Sequence, residues 1–286
     1  MKPAAFDYHR VDTVEDALER LAELGEDAKV LAGGQSLVPL MNFRLVRPAA
    51  LVDITRVPDL KYVARDGDAL RIGALTLHRE IEHADDELLD GFGVLKTAAP
   101  LVGHFPIRAR GTFGGSLAHG DPSSEWCMLA LLLEAEIVAR SADGERTIPA
   151  AELFLGFFTT ALEPGEVLTE VRLPRPLRRA ALEEFSRRHG DFAIVAAAAA
   201  VAVEEGRCTE ARVVVGGVDE VPLRMEAAET ILAGSDLGAE AIDEAAQAAA
   251  NAVEPSSDVH GSAAYRRHLT AVLLRRALSR AVADGA

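Results

Sequence analysis

The sequence predicts an α+β fold in two domains, on three observations. Strand-like runs come mainly as hairpins or neighbours, helical patterns gather at the chain's end, and a proline-rich break lies between the two halves. The chain's 286 residues are enough for two hydrophobic cores.

Taken in order, Thr13 is a helix N-cap before VEDALERLAEL, with Val14, Ala17, Leu18, Leu21 and Ala22 at helical spacing and Gly25 as the stop. AKVLA reads as a buried strand, GGQS as a turn, and ALVDI as a second strand after the Arg47-Pro48 break. Asp66-Gly67-Asp68 sits between two alternating runs and predicts a hairpin. TLHREIEH and DELLDGFGVLKTAAPLV read as helical, and Ser124 is placed to cap EWCMLALLLEA. AEIVAR and RTIPA form another hairpin, and VLTEVRLPRP closes the first half. LPRPLRRA marks the domain boundary, because Pro174 and Pro176 continue neither helix nor central strand. LEEFSRR, FAIVAAAAAVAVEE and ARVVVGGV are then three strands. The alanine run has helix propensity, but its flanking Val and Ile and the stop at Glu204-Glu205-Gly206 favour a strand. MEAAETILAG, EAIDEAAQAAANAV and YRRHLTAVLLRRALSRAVA are helices.

Composition narrows the function. A formal charge of −15 argues against a nucleic-acid surface, which needs clustered Lys and Arg. No run reaches the length of a membrane span, and the first residues lack a secretory signal, so the expected location is the cytoplasm. Cys127 and Cys208 are far apart, which provides neither a disulfide framework nor a metal cluster. His78, His104 and His119 lack a second ligand at metal spacing, so no metal site is expected in this chain. Arg266, Arg267, Arg275 and Arg276 read as a solvated or partner-facing surface.

The segments that carry chemistry are two glycine clusters. Ala32-Gly33-Gly34-Gln35-Ser36 can present several backbone N–H groups to one anion, although a plain tight turn has the same composition. It is neither GxGxxG nor GxxxxGKS. Gly111-Thr112-Phe113-Gly114-Gly115-Ser116 repeats this chemistry before a capped helix, and two such loops can hold one long ligand with a central pyrophosphate.

AGGQSLVPLMNFRLVRPAALVDI and RGTFGGSLAHGDPSSEW together resemble the two flavin-binding signatures of the medium subunit of molybdenum hydroxylases, the carbon monoxide dehydrogenase and xanthine dehydrogenase family. SRRHGDFAIV and SAAYRRHLTAVLLRRAL extend the resemblance over essentially the whole chain. It implies an oxidoreductase subunit with FAD as its cofactor. The implied fold is a two-subdomain FAD-binding (PCMH-type) domain over residues 1–176, then a C-terminal domain, 177–286, of a three-stranded antiparallel sheet with helices. The implied partners are a large subunit with the molybdenum cofactor and a small subunit with two [2Fe-2S] clusters, as a dimer of heterotrimers. Electrons would reach the FAD from those clusters and leave to an external acceptor.

By the same resemblance Ala32, Gly33, Gly34, Gln35 and Ser36 wrap the pyrophosphate, flanked by Leu31 and Leu37. Thr112, Phe113, Gly114, Gly115 and Ser116 run along phosphates, ribityl chain and ring, and Val102 and Leu168 pack on the cofactor. Glu125 matches an acidic residue for a ribose or adenine hydroxyl; it also reads as a first-turn carboxylate stabilising a helix dipole. Phe192 takes the place of an aromatic near the flavin, where stacking survives without a hydroxyl. A basic residue common upstream of it in the family is unmatched, since Glu183-Glu184 stands there. His119 and Asp121 read as builders of the HGDP turn, and Cys127 as a small apolar helix residue. Two alternatives remain open from sequence: a stand-alone FAD-dependent reductase of this fold, and a flavin-free scaffold subunit.

Overall fold

The computed structural model describes residues 2–283. The chain opens with β1 (Asp7–Arg10), α1 (Val14–Leu24), β2 (Ala28–Leu31), α2 (Leu37–Asn42) and β3 (Ala50–Asp53). The strands form a parallel sheet in the order β1-β3-β2. Thr13 Oγ1 accepts the Asp16 N–H at 3.0 Å, and Gly25, at φ +71°, ends the helix. Val14, Ala17, Leu18 and Leu21 pack with Val52 and Ile54, so the amphipathic face of α1 covers the sheet.

β4 (Val63–Asp66) and β5 (Ala69–Gly73) form the first predicted hairpin. Short helices follow: α3 (His78–Glu82), α4 (Gly93–Ala98), α5 (Phe105–Arg108), α6 (Phe113–His119) and α7 (Glu125–Leu132). The long helix expected over DELLDGFGVLKTAAPLV is reduced to α4 and a 3₁₀ turn, Ala99–Leu101. Gly91, at φ +76°, precludes an earlier start, and Pro100 ends the α-helical ladder. β6 (Glu136–Ser141) and β7 (Gly144–Pro149) are the second hairpin, followed by α8 (Ala150–Leu153), β8 (Phe154–Gly156), β9 (Thr159–Thr160) and β10 (Val167–Leu173). Antiparallel pairing orders this sheet β4-β5-β10-β6-β7.

The rest comprises β11 (Arg179–Phe185), β12 (Val195–Glu204), β13 (Arg207–Gly216), β14 (Leu223–Arg224), α9 (Glu226–Leu232), α10 (Ala239–Ala252) and α11 (Ala263–Ala283). The three expected antiparallel strands gain a two-residue edge strand, β14. The alanine run is a strand because both of its faces are covered. Ala196, Ala198 and Ala200 join the core that includes α7, while Ala197 and Ala199 join the core made with α10 and α11. Trp126 through Leu132 of α7 are all buried, which makes this helix a strut between the two halves.

Arg266 departs from the expected solvated surface. It is buried, and its guanidinium donates to the carbonyls of Ile194 and Gly217 and to Asp258. A guanidinium with five donors can tie three segments at once, which a helix-face pattern does not reveal. Arg275 pairs with Asp243, and Arg267 donates to the Val253 carbonyl at 3.0 Å.

Candidate FAD site

The first glycine loop leaves the C-terminal end of β2, the edge at which parallel α/β sheets offer their crevice. Gly34 lies at φ +70°, a conformation that L side chains rarely adopt. Among the described residues, no protein acceptor takes the N–H groups of Gly33, Gly34, Gln35 or Ser36. Gln35 Nε2 donates to the Gly33 carbonyl at 3.0 Å, which ties the loop back on itself. Four consecutive unused donors on a half-buried loop suit an anion with several oxygens, such as a pyrophosphate.

The second loop meets the first main chain to main chain. A Cβ on Gly33 would fall on the Arg110 carbonyl and 2.8 Å from Gly111 Cα. The two loops nevertheless use their amides differently. Phe113 N–H goes to Thr76 O at 2.9 Å, Gly114 N–H to Ala74 O at 3.0 Å, Gly115 N–H to Thr112 Oγ1 at 3.1 Å and Ser116 N–H to Thr112 O at 3.1 Å. The expectation of a repeated anion cradle is therefore corrected for these four donors: Phe113 and Gly114 spend theirs on the segment after β5, and Gly115 and Ser116 on the start of α6. The glycines serve close approach, since a Cβ on Gly114 would lie 2.7 Å from Ala74 Cβ.

Behind the loop, Phe113 is fully buried against Trp126, with ring centroids 5.0 Å apart. Trp126 Nε1–H donates to His78 Nδ1 at 3.0 Å, and His78 N–H bonds the Gly111 carbonyl at 3.1 Å. Burial, helped by the Arg108 charge, lowers the His78 pKa to about 4, so this imidazole is neutral. Sequence reading offered no role for His78; its register with a tryptophan forty-eight positions away is a tertiary fact.

The other expected residues divide between surface and core. Leu31 and Leu37 flank the first loop half-buried, and Gly115 and Ser116 are the partly accessible members of the second. Thr112, Phe113 and Gly114 are buried, as are Val102 and Leu168. Phe192 is 75% exposed, outside any packed core. Its loop is held against the first half, because Gly190 lies directly on the His104 ring.

Glu125 is the first residue of α7, and Glu184 lies on β11 with a buried Oε2 that has no hydrogen-bond partner. Desolvation first, then the Glu184 charge, pushes Glu125 up to about 8; desolvation pushes Glu184 up to about 7. Glu184 was visible in the sequence only as a mismatch. Ser124 stands at the N-cap of α7 as expected, but its side chain makes no capping bond.

Comparison with known proteins decides the family. The family described as "FAD binding domain in molybdopterin dehydrogenase" matches residues 4–176, and "CO dehydrogenase flavoprotein C-terminal domain" matches residues 180–281. The chain belongs to this flavoprotein family. It is similar to the 6-hydroxypseudooxynicotine dehydrogenase complex subunit alpha of Paenarthrobacter nicotinovorans, at 44% identity over 99% of this chain and 96% of the relative. It is 37% identical to the carbon monoxide dehydrogenase medium chain of Afipia carboxidovorans, over 99% of each chain. The flavoprotein also superposes on a chain of the carbon monoxide dehydrogenase of Hydrogenophaga pseudoflava with a TM-score of 0.95, at 36% identity over 99% of both. It is thus an FAD-binding medium subunit of the molybdenum hydroxylase family, and the relatives named above include subunits of dehydrogenase complexes. No helix among the described residues is long and apolar enough to cross a membrane.

Proposed function

We propose that this chain is the electron-exit subunit of a cytoplasmic heterotrimeric molybdenum hydroxylase. In this reading a large subunit carries the molybdenum cofactor and oxidises the substrate, a small subunit carries two [2Fe-2S] clusters, and two heterotrimers associate. Electrons pass from the clusters to FAD here and on to an external acceptor. Substrate choice belongs to the large subunit.

The observation that carries this reading is the run of four unused amides, Gly33 to Ser36, lying against the second loop at the edge of a parallel sheet. These donors hold the pyrophosphate, with Ala32, Leu31 and Leu37 shaping the turn. Gly115 and Ser116 face the cofactor, whereas Thr112, Phe113, Gly114, Val102 and Leu168 support it from below. Glu125 lies beside its sugar or adenine, and Phe192 is free to lie on the ring or its acceptor. FAD supplies the redox chemistry; the protein fixes its position and excludes water. Residues 1–176 form the FAD-binding domain and 177–286 the C-terminal domain in this account.

The test is the visible spectrum of the purified full chain, with the released chromophore identified after denaturation. A yellow protein releasing FAD is the expected result. A chain that is colourless and takes up no added FAD overturns the reading.

A further inference from the structure

A pyrophosphate diester is doubly anionic, and a chain with a formal charge of −15 repels it at long range. The open amides of Gly33 to Ser36 answer only with partial charges, and α2, which follows them, has no charged side chain. What the cradle lacks is a full positive charge.

Most basic residues near the loop are engaged elsewhere. Arg108 is buried and donates to the Glu82 carboxylate at 2.9 Å and to the carbonyls of Pro100 and Gly103. Arg44 donates to the Lys2 carbonyl and Arg47 to the Arg44 carbonyl. Arg10, at the end of β1, stands opposite Asp53 in the sheet register. Lys29 lies back along β2, before the loop begins.

Arg110 differs from these. Its side chain is exposed and makes no hydrogen bond or ion pair among the described residues. Its main chain, by contrast, is fixed against the anion loop: a Cβ on Gly33 would lie 2.2 Å from the Arg110 carbonyl oxygen. The Arg110 N–H donates to Ile107 O at 3.1 Å, and the N–H of the next residue, Gly111, to the same oxygen at 2.7 Å. An arginine rooted there has the reach to lie across the open amides, and its planar fork of donors matches phosphate oxygens two at a time.

We infer that Arg110 is a phosphate-binding residue of the FAD site, its guanidinium closing over the pyrophosphate held by the amides of Gly33 to Ser36. This rests on the function proposed above. Arg110 opens the motif RGTFGG without being among the residues that the resemblance assigns to the cofactor. It gives the second loop a part in anion binding that the amides of Phe113 to Ser116, already bonded within the protein, do not have.

Oxidised FAD is uncharged at neutral pH apart from its phosphates, so any dependence of its binding on a protein charge reads the pyrophosphate. The experiment is fluorescence titration of FAD into the flavin-stripped full chain, for wild type, Arg110→Lys, Arg110→Ala and Arg110→Glu. The dissociation constant should rise about tenfold in Arg110→Ala and further in Arg110→Glu, with Arg110→Lys between wild type and alanine. Thermal midpoints of the flavin-free chains should agree to within about 2 °C, because an exposed side chain without partners supports no part of the fold.

Salt gives an independent readout. Between about 0.05 M and about 0.5 M salt, wild-type affinity should fall more steeply than that of Arg110→Ala, since screening acts on the pair that the substitution removes.

Equal FAD affinity in wild type and Arg110→Ala, or an order of affinities that ignores charge, overturns the inference. An affinity loss that comes with a lowered flavin-free midpoint in both Arg110→Ala and Arg110→Lys makes the role structural and overturns it too. Equal salt slopes despite a weakened alanine variant set Arg110 against an uncharged part of the cofactor and overturn the phosphate contact. A wild-type chain that takes up no FAD overturns the function proposed above together with this inference, and that failure is distinct because it precedes any substitution.

Discussion

The two glycine loops are near-copies in composition and opposites in use. Gly33–Ser36 leaves four amides without a protein acceptor, whereas Phe113–Ser116 spends its four on Thr76, Ala74 and Thr112. In one the glycines free the main chain for a ligand; in the other they let a helix start be packed into the core. Glycine content alone does not distinguish an anion cradle from a tightly packed support, and hydrogen-bond accounting does.

The sharpest way to break that contrast is to add a side chain to each loop. Gly33→Val drives a Cβ into the Arg110 carbonyl and separates the two loops. A steric cost of about 1–3 kcal/mol, read as affinity, weakens FAD binding by about fivefold to a hundred-and-fiftyfold, with helix and sheet content preserved. Gly114→Val meets Ala74 instead, and it should lower the thermal midpoint at least as much as it lowers FAD content. Equal loss of flavin with no loss of stability in Gly114→Val would place the second loop in the same role as the first.

Acid sharpens the comparison further, because only the second loop rests on a histidine. His78 is held neutral under Gly111, with its folded pKa near 4 against an ordinary 6.5. A base with a lowered folded pKa takes up its proton more readily when unfolded, so stability is full above 6.5 and falls as pH drops toward 4. The loss is on the order of 3 kcal/mol at its limit. Thermal melts over this range should show the decline, and Trp126→Phe, which removes the Nε1–H donated to His78, should shift its onset. A flat profile from neutral to acid pH would remove His78 from the support.

How much of this could be read in the sequence depends on the range of the interaction. The capped helix α1, the two hairpins and the helical C-terminus follow from local spacing, and each forms. The alanine strand is legible only from its bracketing residues; the reason it holds, coverage of both faces, lies in α7 on one side and α10 and α11 on the other. The glycine clusters mark the proposed FAD site, but the division of labour between them does not show, because the acceptors Ala74 and Thr76 come from another segment. Arg266 escaped for the same reason: a periodic pattern places it on a helix without saying that Ile194 and Gly217 present carbonyls there. Glu184 looked like a departure from a pattern, and only its place on β11 shows that its Oε2 is buried.

The smallest expected effect isolates a single bond of the second loop. Thr112 Oγ1 accepts the Gly115 N–H at 3.1 Å, an N-cap on the short helix α6. Thr112→Ala removes that acceptor and should cost about 1 kcal/mol of stability, while Thr112→Ser, which keeps the oxygen, should cost a few tenths. The alanine variant also frees the Gly115 amide on the partly accessible edge of the loop. If the second loop is a support, FAD affinity remains within about twofold of wild type despite the lower melting point. If freeing that amide instead strengthens FAD binding, the second loop has the capacity to be a cradle and is held out of that role by one hydroxyl.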